Sequence, residues 1–176
     1  MRRAAEAFER SIALIGLMGA GKSTIGRRLA KRLGLPFVDA DAEIERAAGL
    51  KVAEIFEQFG EPRFRGQERR VIARLVEGPC AVIATGGGAF MDPRTRALIL
   101  ARCTAIWLDG DVETLAGRVG RRRHRPLLDG KDPVVLLRGL AEARNPIYAE
   151  AHLTVRSDAA PHERIVDRIV EALAAR

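Results

Sequence analysis

The run Gly16-Leu17-Met18-Gly19-Ala20-Gly21-Lys22-Ser23-Thr24, directly after the apolar Ile12-Ala13-Leu14-Ile15, constrains this chain more than any other feature. A glycine, four residues and then Gly-Lys-Ser is the pattern of a P-loop. Glycines let backbone N–H groups turn inward around phosphate oxygens, and Lys22 reaches the β- and γ-phosphates. The Ser23 hydroxyl suits Mg²⁺. The context agrees with the pattern. A buried strand precedes it, and the helix that follows carries Ile25, Leu29 and Leu33 at four-residue spacing. Arg27, Arg28, Lys31 and Arg32 occupy the opposite face, and Gly34 supplies a C-terminal stop. A glycine-rich turn that merely precedes a helix has no use for this ordered set. The sequence predicts a site for ATP or GTP.

Length and charge narrow the partners. A chain of 176 residues falls in the one-domain range and, at 47% hydrophobic, buries a real core. The net charge of +7 suits an anionic ligand and would equally suit nucleic acid. Cys80 and Cys103 lie in strand-like runs and read as small buried hydrophobes rather than a disulfide framework, which favours a reducing cytosol. Arg2 and Arg3 imitate the start of a signal peptide, but Glu6, Glu9 and Arg10 interrupt it. No stretch approaches the roughly 20 apolar residues of a membrane span. Residues 1–10 read as an N-terminal extension, and the expected protein is cytoplasmic with no membrane partner.

Strands and helices alternate along the remainder. Strand-like runs are Phe37-Val38, Ala81 to Thr85, Thr104 to Leu108 and Leu153 to Val155. Helical patterns cover about 42 to 48, 52 to 59 and 62 to 76, with later ones opened by Asp92-Pro93 and by Asp111. Near-continuously apolar strands between helices predict a parallel sheet covered on both faces. Residues 11–176 are expected to form a single α/β domain, with ligands at the carboxyl ends of its strands.

Polar residues gather at those ends. Asp39 and Asp41 are two apart, so both carboxylates can point to one side. One can anchor Mg²⁺ while the other accepts a proton from an attacking hydroxyl. Taken alone, Asp41 fits a helix N-cap better. On the helix from 62 to 76, Phe64, Val71, Ile72 and Leu75 form an apolar stripe that includes Glu68, with Arg65 at its rim. Glu68 either pairs structurally with Arg65 or orients it toward a carboxylate ligand. In the helix from about 134 to 144, Arg144 continues the inner face of Leu137, Leu140 and Ala141, and Pro146 is expected to stop the helix. Two inward arginines suggest a small anionic substrate. Gly86-Gly87-Gly88 allows close approach by a ligand. The basic run from Arg118 to Lys131, bounded by glycines, reads as a lid over about 118–132 that delivers an arginine to the transferring phosphate. Aromatic residues are 5% of the chain and none interleaves these arginines, which disfavours nucleic acid.

Assembled in order, these residues resemble the shikimate kinase family. The resemblance rests on Gly19 to Thr24, Asp39-Ala40-Asp41, Phe64-Arg65 with Glu68, Thr85 to Gly88, Arg125-Pro126-Leu127-Leu128, and Arg144-Asn145-Pro146-Ile147-Tyr148. It implies a fold like that of the nucleoside-monophosphate kinases, with five parallel strands in the order 2-3-1-4-5, flanking helices and a lid. It also implies transfer of the ATP γ-phosphate to the 3-hydroxyl of shikimate, on the path to chorismate and the aromatic amino acids. By that resemblance Gly19, Ala20, Gly21, Lys22, Ser23 and Thr24 bind ATP, Ser23 holds Mg²⁺ and Asp39 stands behind it. Asp41, Arg65, Glu68, Gly86, Gly87, Gly88 and Arg144 are expected around shikimate, with Asp41 receiving the hydroxyl proton and so reversing the capping assignment. Arg125 resembles the lid arginine on ATP, Arg118 the residue near adenine, and the family favours a monomer. Another small-molecule P-loop kinase, for gluconate or a nucleotide, is the alternative; it would not need Arg65 and Arg144 together.

Overall fold

The computed structural model describes residues 9–120, 130 and 132–176. Five strands form one all-parallel sheet: β1 (Ser11–Ile15), β2 (Phe37–Asp39), β3 (Val82–Ala84), β4 (Cys103–Asp109) and β5 (Leu153–Arg156). Their order is β2-β3-β1-β4-β5, the order the resemblance implied. β1 lies at the centre, paired with β3 through Ile12↔Val82 and with β4 through Ser11↔Cys103 to Ile15↔Trp107. Every residue of β1 is buried, as a central parallel strand covered on both faces requires.

Among the described residues seven α-helices flank the sheet: α1 (Lys22–Leu33), α2 (Ala40–Ala48), α3 (Val52–Glu77), α4 (Pro93–Arg102), α5 (Val112–Gly120), α6 (Pro133–Tyr148) and α7 (His162–Ala174). Local signals set most of their ends. Gly34 caps α1 at φ 68°, Asp92 accepts from Arg94 N and Thr95 N ahead of α4, and Asp111 accepts from Thr114 N at 2.8 Å ahead of α5. The expected segments 52–59 and 62–76 join as α3, kinked where Gly60 adopts φ 76°, ψ 171° two residues before Pro62.

Two sequence expectations fail locally. Pro146 does not end its helix, since α6 continues to Tyr148. A proline within the last turn removes one helical N–H while the turn beyond it can still close. Cys80 is only half-buried and precedes β3, whereas Cys103 is buried at the start of β4, where burial pushes its thiol up to about 12. Among the described residues no helix is long and apolar enough to cross a membrane.

The buried side chains fall into two groups. The main core joins β1, β3 and β4 to α1, α4 and α7, through residues such as Leu14, Ile25, Ile83, Ile106 and Ile165. A smaller cluster of Ile44, Ile55, Phe64 and Val71 holds α2 against α3.

At the far end of the sheet from the phosphate loop, His152 Nδ1 accepts from Ala105 N at 3.0 Å, one residue before β5 takes over pairing with β4. Burial, then the charges of Arg176 and Arg10, hold the imidazole below its ordinary 6.5. A lowered folded pKa contributes stability above the unfolded value that is lost as pH falls. His152→Phe is expected to lower unfolding free energy by about 1 kcal/mol near pH 8. Its deficit against the parent protein should shrink once the pH falls below about 6.5. Urea denaturation of both proteins across this range measures it.

Candidate active site

The carboxyl ends of β1, β2 and β3 deliver the three segments that build the site. After Ile15 the chain leaves β1 through Gly16 at φ 137°, where a Cβ would sit 2.7 Å from Leu108 O. Only glycine permits a turn this close to β4. Lys22 Nζ folds back over the loop and donates to Gly16 O at 2.8 Å and Leu17 O at 2.9 Å. Arg118 Nη1 donates to Gly19 O at 3.2 Å, and the buried Ser157 hydroxyl donates to Ala20 O at 2.7 Å. Four carbonyls of the loop are thus held by side chains of this chain.

β2 ends in Asp39, whose two oxygens act separately. Oδ2 accepts from Ser23 Oγ at 2.6 Å, while Oδ1 accepts from Asp41 N at 3.1 Å and Ala42 N at 3.3 Å. The N-cap of α2 is therefore Asp39, not Asp41, because the helix begins at Ala40 and leaves Asp41 within its first turn. The Ser23 and Asp39 oxygens form a hard donor pair beside the phosphate loop, compatible with Mg²⁺ carried largely by phosphate and water. Among the described residues no group of three or more His, Cys, Asp or Glu side chains could hold a metal alone.

The glycines after β3 make room for charge. A Cβ on Gly86 would lie 2.9 Å from Asp41 Oδ1 and 3.0 Å from Glu68 Oε1, so both carboxylates crowd one backbone position. On Gly88 it would lie 2.6 Å from Arg65 Nη1, and on Gly87 it would lie 3.6 Å from Arg144 Nη1. The glycines at 86 and 88 are explained by three charged neighbours, Asp41, Glu68 and Arg65, while the approach of Arg144 to Gly87 is an ordinary contact. Glu68 is 2% exposed; its Oε2 accepts from Arg65 Nη1 at 2.7 Å, and its Oε1 has no hydrogen-bond partner among the described residues. Burial pushes the Glu68 carboxyl up, opposed by the Arg65 guanidinium and reinforced by the charges of Asp41 and Asp92. Arg65 also pairs with Glu61 at 3.3 Å.

A cleft of about 370 Å³ runs past the loop residues from Met18 to Thr24, Asp39, Asp41, Thr85, Gly86 and Gly87, and on to Arg118, Val119 and His162. That volume suits a small-molecule site. Arg65, Glu68 and Arg144 adjoin the glycine run, just beyond the residues that line this cleft. Arg125 and most of the expected lid lie outside the described residues. Several contributors carry no clear sequence signal. Ser157 bonds the loop across 137 residues of chain, and His162 opens α7 beside it. Tyr148 is buried against Phe90 and Trp107 and donates its hydroxyl to Gly87 O, fixing the middle glycine. Its four-residue spacing from Arg144 is the one clue the sequence offered to that role.

A family model described as shikimate kinase matches residues 18–174. A shikimate kinase of Caulobacter vibrioides is 57% identical over 164 residues, 93% of this chain and 82% of the relative. One from Zymomonas mobilis subsp. mobilis is 54% identical over 166 residues, 94% of each. Among solved structures, shikimate kinase from Acinetobacter baumannii in complex with shikimate superposes with a TM-score of 0.92 at 38% identity, covering 97% of each chain. A gluconokinase from Sinorhizobium meliloti shares the fold alone, at a TM-score of 0.61 and 22% identity.

The crowded carboxylate has a thermodynamic signature. A folded pKa raised above the unfolded 4.5 contributes stability below that value, which is lost as pH rises through the folded value. Glu68→Gln keeps an acceptor for Arg65 without the charge. Its melting temperature relative to the parent protein is expected to climb as pH rises from about 4.5, then level off. Calorimetry on both proteins across this range measures the difference, and a flat one would contradict the assignment.

Proposed function

Because the chain belongs to the shikimate kinase family, we propose how its residues divide that family's reaction. The protein is an ATP-dependent kinase that phosphorylates shikimate, a step of aromatic biosynthesis; gluconate and nucleotide kinases are not favoured. The γ-phosphate of ATP passes to the 3-hydroxyl of shikimate, giving shikimate 3-phosphate and ADP.

Loop N–H groups from Gly19 to Thr24 cradle the phosphates, and Lys22 exchanges its loop carbonyls for β- and γ-phosphate oxygens. Ser23 would hold Mg²⁺, with Asp39 fixing the hydroxyl; the ion, when bound, neutralises charge on the phosphate oxygens. Asp41 accepts the proton of the attacking hydroxyl. Arg65 and Arg144 grip the shikimate carboxylate, Glu68 orients Arg65, and the backbone of Gly86, Gly87 and Gly88 lies against the ring. Arg118 flanks the nucleoside, and Arg125 is proposed to reach the transferring phosphate. The observation that carries this reading is the convergence of a phosphate loop, a carboxylate and two arginines on one cleft and the glycine run that borders it. We propose further that residues 11–176 form a single catalytic domain after a short extension, working as a monomer. The cytoplasm fits ATP as co-substrate and two free thiols.

A coupled ADP-release assay offering shikimate, quinate, gluconate and nucleoside monophosphates separately should register turnover with shikimate far above the others. Asp41→Asn should cut that turnover by about two orders of magnitude or more while leaving nucleotide binding intact. Unchanged turnover would remove Asp41 from the chemistry.

The two arginines are expected to separate. Charge-assisted hydrogen bonds of this kind are worth about 1.5 to 3 kcal/mol, so Arg144→Met should raise the Michaelis constant for shikimate about ten- to a hundredfold with little change for ATP. Arg65→Met should do the same and also lower the melting temperature, since it strands a buried carboxylate. A stability loss without a change in the shikimate constant would reduce Arg65 to a neutralising partner of Glu68.

A further inference from the structure

The cleft has a direction. Among its lining residues Asp41 adjoins Gly86, whereas Arg118 bonds Gly19 O and His162 adjoins Gly21 of the phosphate loop. With the acceptor beside Asp41 and Gly86, the α-phosphate and nucleoside of ATP extend toward Arg118 and His162. His162 is the first residue of α7, and its Nε2 lies 3.9 Å from where a Cβ on Gly21 would be. The surrounding backbone is fixed. Arg118 donates to Gly19 O, Ser157 Oγ and Asp158 O, and Arg168 holds the Asp158 carboxylate at 3.0 Å. An imidazole stands at the exit of the phosphate loop on a wall that side-chain hydrogen bonds keep in place.

The charged groups facing His162 are Arg118 from α5, Arg28 from α1 and Glu163 from its own helix, with Lys22 lining the same cleft. Burial, then the Arg118 and Arg28 charges, hold the imidazole below its ordinary value, and Glu163 opposes them. Its position in the first turn of α7 also disfavours a positive charge, because the helix dipole is positive there. A polyanion entering the cleft reverses this balance. Resting on the assignment of the phosphate loop to ATP, we propose that His162 is a nucleotide-contacting residue that takes a proton from solvent as the phosphate chain of ATP or ADP binds. The imidazolium then adds a cation to Lys22 and Arg118 around the phosphates. Nucleotide affinity consequently strengthens as the pH falls, through a residue outside the phosphate-loop motif.

The test reads the histidine directly. The chain has three histidines, at positions 124, 152 and 162, so Cε1–H resonances are few and His162 is assigned by its loss in His162→Gln. Titrating the parent protein between about pH 5 and 8.5, with and without saturating ADP and no divalent cation, should move the His162 midpoint upward by about one unit. By linkage the ADP affinity of the parent protein gains on that of His162→Gln as the pH falls from about 8, approaching tenfold only below both midpoints. Comparing the two variants cancels the titration of the ADP phosphate itself. His152→Gln, at the opposite end of the sheet, should keep the parental pH dependence. ADP binding with an unmoved His162 midpoint, or a pH dependence that survives His162→Gln, would overturn the proposal alone. A parent protein that fails to bind ADP would overturn the ATP site as well.

Discussion

β1 is hydrogen-bonded to a parallel neighbour on each side and presents no residue to solvent, so nothing in the sheet is harder to displace. The phosphate loop is the continuation of that strand. Its glycines confer conformational range, which in an open turn would be entropy to lose; here the range is removed by neighbours. Leu108 O blocks the space above Gly16, Ser157 and Arg118 hold Ala20 O and Gly19 O, and Lys22 closes over the first turn. An anion-binding loop of this kind works because its N–H groups need no rearrangement when phosphate arrives. Two other strands end at the same cleft, β2 with Asp39 as its last residue and β3 with Thr85 directly after it.

Around that frame the chain concentrates charge in a poorly solvated space. Asp41 and Glu68 meet over Gly86, and Arg65 and Arg144 lie against Gly88 and Gly87. The carboxyl of Glu68 is pushed up by burial even with a guanidinium 2.7 Å away, so the pair does not neutralise its surroundings completely. Such residual tension is common where a site must bind charged substrate and move a proton. The absent side chains of the glycine run let these groups come together.

The fold was largely legible because its signals were local and redundant. Apolar strands, capping residues at Asp92 and Asp111, and the stop at Gly34 each have a short-range cause, and each appears as read. The strand order was available only through resemblance, since no periodicity says which strands are neighbours. Within the site, Lys22 and Ser23 could be picked from spacing alone, as phosphate-loop chemistry is written in consecutive residues, whereas Asp39 and Asp41 were told apart only through the resemblance. The capping role passed from Asp41 to Asp39 because a helix start is uncertain by a residue or two, and one residue decides which carboxylate faces inward. Ser157 and His162 drew no role from the sequence for a different reason. Their neighbours in the phosphate loop lie more than 130 residues away in the chain, and a lone serine or histidine advertises nothing until the sheet brings the ends together.

The two hydrophobic clusters have a consequence for how such an enzyme can change over generations. The apolar contacts of Ile44, Ile55, Phe64 and Val71 are separate from the core that braces the phosphate loop, the two meeting around Leu75. Phe64 and its neighbours set where Arg65 and Glu68 point, while Leu14, Ile25 and Ile106 set where Lys22 and Ser23 point. Substitutions in the smaller cluster can therefore re-aim Arg65 and Glu68, the side chains proposed to read the acceptor, at little expense to the phosphate loop, because effects at separated sites combine nearly independently. Heritable variation in where Arg65 and Glu68 point is thereby uncoupled from the packing behind the phosphate loop.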